Sequence, residues 1–131
     1  MIDSIGIALT GLDAASKKLY ASASNIANVQ TTGSLDGEPK PYAPLEARSE
    51  TNSLGGVHTT IGERANPFTP AYDADSPFAD ENGIIGVPNI NLAEEAVNTT
   101  LAKLQYKANL KTLQAASDLG KELLKVLDEK A

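Results

Sequence analysis

All seven prolines of this 131-residue chain fall between Ser34 and Ile90, and the segments on either side repeat apolar or small residues at alternating steps of three and four. Proline lacks an N–H and clashes with the preceding helical turn, so long helices are confined to the two ends. The first is predicted over about 4–29. Its seam runs Ile2, Ile5, Leu9, Leu12, Ser16, Leu19, Ala23, Ile26, a heptad pattern. Asp3 or Ser4 can cap its start, and Thr31-Thr32-Gly33 ends it. The second is predicted over about 92–128, with Asn91 as N-cap and Glu94 three residues on to complete a capping box. Leu92, Ala96, Thr99, Lys103, Tyr106, Leu110, Leu113, Ser117, Gly120, Leu124 and Leu127 form one stripe on it. Val97, Leu101, Leu104, Ala108, Ala115 and Leu119 form another. Two stripes on one helix imply two partners.

The expected fold is mainly α: two long terminal helices forming an antiparallel coiled-coil-like pair, with an irregular, partly β middle. The chain reads as a single domain over 1–131, divided into 1–33, 34–90 and 91–131. Strand-like pieces occur at Tyr42–Ala47, Val57–Ile61 and Ile84–Val87, enough for a hairpin. Aromatics are 5% and Trp is absent, so the packing must come from small residues rather than a bulky core.

Charge is divided in the same way. The ends are neutral, whereas the middle sets nine acids against Lys40, Arg48 and Arg64, the whole of the net charge of −6. Neutral ends suit packing against protein, and an acidic centre suits water. No basic patch with interleaved aromatics is present, which argues against nucleic acid as a partner. No apolar run of about 18 residues exists, so no membrane span is expected. The N-terminus lacks a basic region followed by an apolar stretch, so no cleaved signal peptide is expected either.

Ser24-Asn25-Ile26-Ala27-Asn28-Val29-Gln30-Thr31-Thr32-Gly33 resembles the signature closing the first helix of flagellar rod, hook and related axial proteins. Gln105-Tyr106-Lys107-Ala108-Asn109 is similar to that family's C-terminal helix motif. Gly55-Gly56-Val57, Pro70-Ala71-Tyr72, Asp80-Glu81-Asn82-Gly83 and Val87-Pro88-Asn89-Ile90-Asn91 resemble the middle of its short proximal rod members. Ser34, Leu104 and the segment Asp73 to Ala79 depart from the usual pattern. The resemblance implies a structural subunit of the periplasmic rod that transmits torque. It also implies export by the flagellar apparatus and partnership with other rod subunits and further copies of the chain. The expected assembly residues are Ile5, Leu9, Leu12, Leu19, Asn25, Ile26, Asn28, Leu101, Tyr106, Asn109, Leu110, Leu113 and Leu124. No cofactor is implied.

Rival chemistry finds little support. His58 is the only histidine and Cys is absent, so a triad or a zinc site lacks its other members. Asp73, Asp75, Asp80, Glu81 and Asn82 invite a calcium loop, yet Pro77 and Phe78 occupy the fifth and sixth positions from Asp73. Glu94 and Glu95 are adjacent, point about 100° apart on a helix, and are read as capping and dipole residues. Lys103, Lys107 and Lys111 make a basic stripe, either a solvated face or a contact for an acidic neighbour. A non-flagellar coiled-coil adaptor would share the heptads without the paired motifs, and a small hydrolase would need a nucleophile–base set that is missing. Since isolated helices depend on packing, the terminal helices are expected to order on assembly.

Overall fold

The computed structural model describes residues 2–53 and 55–129, without the side chains of Ile2 and Asp3. The seam position of Ile2 and capping by Asp3 therefore lie outside the described residues. Helix α1 spans Ile2–Ala27 and helix α2 spans Leu92–Asp128, as the proline distribution requires, with α1 displaced two residues N-terminally from its predicted bounds. Helix α2 starts where Asn91, in extended backbone, accepts hydrogen bonds from the Ala93 and Glu94 amides. Helix α1 stops where Asn28 Nδ2 bonds the Ser24 carbonyl at 2.9 Å and the chain turns.

The helices pack antiparallel. Asn25 meets Glu95, Lys18 meets Gln105, and Gly11 meets Asn109. Their seam runs Ala8, Gly11, Ala15, Ser22 and Asn25 on α1 against Glu95, Ala102, Asn109 and Ala116 on α2, a heptad spacing made of small and polar side chains. At about 100° per residue, this buried row on α2 lies between the two apolar stripes and coincides with neither. A Cβ on Gly11 would stand 2.5 Å from Asn109 Oδ1, which measures how closely the backbones approach. Gly120 is different: space around its missing Cβ is open, so it marks no close approach within the chain.

Strand β1 (Leu45–Thr51) pairs antiparallel with β2 (Val57–Glu63), from Leu45 opposite Glu63 to Thr51 opposite Val57. The turn between them uses Gly55 and Gly56 at φ of +86° and +82°, a conformation side chains other than glycine's rarely adopt. This hairpin lies on α1. Thr10 Oγ1 accepts from the Val57 amide at 3.1 Å, and Lys17 donates to the Thr59 carbonyl at 2.8 Å. Strand β1 begins three residues later than predicted, because Tyr42 N bonds back to the Thr31 carbonyl and Pro44 is buried outside the ladder.

A second antiparallel hairpin, β3 (Phe68–Tyr72) with β4 (Ile84–Pro88), contains a strand that sequence reading missed. Pro70 hides it, since proline disfavours a paired strand. Pro70 stands opposite Gly86, whose N–H and C=O both point the other way, to Gly33, at 2.8 and 3.1 Å. The missing proline N–H therefore faces a position that offers it no acceptor, and the strand survives. Gly33 admits no side chain at this crossing. A Cβ there would lie 2.5 Å from the Pro39 carbonyl oxygen and the Lys40 backbone.

Among the described residues the buried apolar side chains other than proline are six alanines and Ile85, and the largest fully buried side chains are Glu95, Asn25, Thr59 and Pro44. The large aliphatic side chains of both helices lie mostly outside. This inversion of the usual arrangement follows from the thin alanine seam.

Candidate assembly surface

Two constellations stand out, one buried and one exposed. The buried one is a polar clasp where the end of α1, the start of α2 and the β1–β2 hairpin meet. Asn25, fully buried, uses every bonding position within the chain. Its Nδ2 donates to the Leu45 carbonyl at 2.9 Å and to Glu95 Oε1 at 3.0 Å. Its Oδ1 accepts from the Leu45 amide at 2.8 Å and the Tyr42 hydroxyl at 3.1 Å. Tyr42 in turn shares a hydrogen bond with Ser24 at 2.9 Å.

Glu95 is the second fully buried member, and Arg64 at the end of β2 neutralises it through a direct ion pair. Arg64 also lies 3.8 Å from Glu94 and is tied to β1 by its amide, which donates to the Pro44 carbonyl at 2.8 Å. A carboxylate taken out of water without a cation would be strongly destabilising, so Arg64 fixes where the hairpin meets the helix pair. The reading of Glu95 as a capping residue is corrected here: it faces inward, on the same row as Ala102 and Asn109. The sequence signal was the seven-residue step Glu95, Ala102, Asn109, Ala116, masked by the louder leucine stripes.

The exposed constellation is the apolar cover of the helices. Among the expected assembly residues, Ile5, Leu9, Ile26, Leu101, Tyr106, Leu110 and Leu124 are exposed, with Leu9 at 52% and Leu124 at 64%. Leu12, Leu19 and Leu113 are half-buried. Asn25 is enclosed in the clasp, Asn28 closes α1, and Asn109 is half-buried with Nδ2 on the Gln105 carbonyl at 2.9 Å. The α1 heptad row expected from sequence, which is not the buried seam, and the first α2 stripe converge on one groove of about 380 Å³ lined by Ser16, Leu19, Tyr20, Ala23, Lys103, Tyr106 and Lys107. Leu101, from the second stripe, borders a separate groove of about 300 Å³ with Leu45, Ala47 and Arg64. The two stripes thus open onto different sides of the molecule.

His58 is exposed on β2 opposite Glu50. Among the described residues no three His, Cys, Asp or Glu side chains converge as metal ligands, and no helix is long and apolar enough to cross a membrane.

No family model matches the chain. It is 30% identical to the flagellar basal-body rod protein FlgC of Salmonella typhimurium, over 91% of this chain and 92% of that protein. Identity to FlgC of Agrobacterium fabrum is 32%, over 86% and 85% of the two chains. The chain belongs to the FlgC family. FlgC of Buchnera aphidicola from Schizaphis graminum is 28% identical over 96% of this chain and 97% of its own. Membership in the FlgC family accords with the exposed helix surface, because a rod protein is a subunit of a larger body. It also gives the signature ending in Gly33 a physical content in this chain. Asn25 holds the clasp, Asn28 ends α1, and Gly33 lets β4 cross.

Proposed function

We propose that this chain is a structural subunit of the flagellar basal-body rod that assembles through its terminal helices and carries torque along the shaft. The observation that carries this reading is the inverted packing of the helix pair. Alanines hold α1 to α2 while Ile5, Leu9, Tyr106, Leu110 and Leu124 face outward, and exposed apolar side chains along both helices favour burial against a partner. Two outward stripes on α2 supply contacts to more than one neighbour, so shear between subunits is shared by interlocked helices. The expected partners are other rod subunits and further copies of this chain, within the basal body, after passage through the flagellar export apparatus. The role is non-catalytic.

The test replaces the cell's own gene with Leu9→Asp and Leu124→Asp variants in a host that builds rods from this chain. Rod formation is imaged in isolated basal bodies, and swimming is scored. Each substitution is expected to abolish rods and motility while the purified protein keeps its thermal transition. Normal rods carrying either variant would sink the proposal.

A further inference from the structure

We propose that the acidic end of the β3–β4 hairpin of one copy docks into the lysine-rimmed apolar groove between α1 and α2 of a second copy. This rests on the reading of the chain as an assembling rod subunit and names one of its contacts. The hairpin end carries Tyr72, 74% exposed, beside the exposed carboxylates of Asp73, Asp75, Asp80 and Glu81. Among the described residues none of these four acids is in a salt bridge. The β3–β4 hairpin packs on neither helix of its own chain and is anchored through the Gly33–Gly86 bridge, which leaves its far end projecting.

The groove offers the opposite properties. Leu19, Tyr20 and Tyr106 give it apolar walls, Lys103 and Lys107 rim it, and Lys111 extends the rim by one turn. None of the three lysines has a described carboxylate within salt-bridge distance. An aromatic side chain flanked by carboxylates matches an apolar slot flanked by ammonium groups in both shape and sign. The occupant is a second copy because the chain carries a net charge of −6, all of it from the middle. Copies repel unless that acidic middle meets the lysine stripe. Hairpin and groove are different surfaces, so the contact is head-to-tail, and repetition of such a contact builds a ring or an open helix, as a shaft requires. An isologous contact would stop at two copies.

The experiment places the photo-crosslinker p-benzoylphenylalanine at Tyr72, and separately at Asp73, in cells that build basal bodies from this chain. Two isotopically distinct versions are co-expressed to tell inter-copy from intra-copy products. Crosslinks from both sites are expected on the α1 or α2 peptides holding Leu19–Tyr20 or Lys103–Lys107 of the other copy. Lys103→Glu with Lys107→Glu should cut that yield about tenfold, and adding Asp75→Lys with Glu81→Lys should restore it. Crosslinks on another rod protein, on a different face of this chain, or within one copy would overturn the inference in basal bodies that form normally. So would absent crosslinks, or reversal without restoration, while the proposed function stands. Failure of the unmodified chain to enter rods would overturn both.

Discussion

The two ends of the helix pair are built differently. At the clasped end, α1 and α2 meet around Asn25, Glu95, Arg64 and Tyr42, enclosed by the β1–β2 hairpin and joined by charged and polar hydrogen bonds, with Glu95 Oε2 left unpaired. Towards the open end, contact falls to Gly11 with Asn109 and to Ala8 and Ala116. Beyond Ala116 no residue of α2 is buried, although the helix runs on to Asp128. An alanine methyl contributes about 0.8 kcal/mol on burial, so the open end is weakly held in one chain. One end is closed within the subunit and the other is not.

The largest expected effect comes from breaking the clasp. Arg64→Ala leaves Glu95 as a buried carboxylate without its cation, which should cost about 3–5 kcal/mol in urea or thermal unfolding. The paired change Arg64→Met with Glu95→Leu should recover only part of it, since the charge is then absent rather than unpaired but buried Asn25 Nδ2 loses an acceptor. Gly33→Ala should cost about 1–3 kcal/mol, because the new methyl meets backbone that cannot swing aside. At the open end the sign reverses. Gly120→Ala enters open space on a helix and should raise α2 helicity by circular dichroism, stabilising it by about 1 kcal/mol.

Leu124→Asp should change the stability of the isolated subunit by less than about 0.5 kcal/mol, while removing a contact that the proposed assembly uses. Leu12 and Leu113 are half-buried, so Leu9 and Leu124 are the cleaner probes of assembly. The sequence expectation that both terminal helices order on assembly is narrowed by the intramolecular clasp. Amide exchange on the isolated chain should show protection falling from Asn25 and Glu95 towards the open end, with 117–128 exchanging almost as a free helix. Uniform protection along α2 would remove the contrast.

The smallest effect concerns pH at the hairpin end. The Ile84 amide, and after it that of Asn82, hydrogen-bonds the Asp80 carboxylate and holds its pKa below the usual 3.8. A depressed folded pKa means that the turn is supported at and above that ordinary value and loses support only as pH falls beneath it. The amide resonances of Asn82 and Ile84 should therefore shift together with a midpoint below the ordinary carboxylate range. Movement near neutrality would contradict the arrangement.

Element type was legible where one local rule dominates. Prolines banned helix from 34–90, and three-four periodicity with the Asn91 cap placed α2 at the bounds observed. The motif ending in Gly33 was equally plain as a pattern. Which face each helix buries was not legible. The outward leucines carry the stronger periodic signal, whereas the inward row of Ala, Ser, Asn and Glu has small or polar side chains that no hydrophobicity rule favours. Strand β3 was hidden because the tolerance of Pro70 depends on Gly86 turning to Gly33, a contact between distant parts of the chain. The role of Glu95 was hidden for the same reason, since nothing near it in sequence shows that Arg64 will arrive beside it. Short-range sterics and periodicity act within a few residues, so the sequence by itself determined where helices form and that they need partners. The pairing of a buried charge and the choice between two helix faces are settled by groups dozens of residues apart, and only the tertiary structure could decide them.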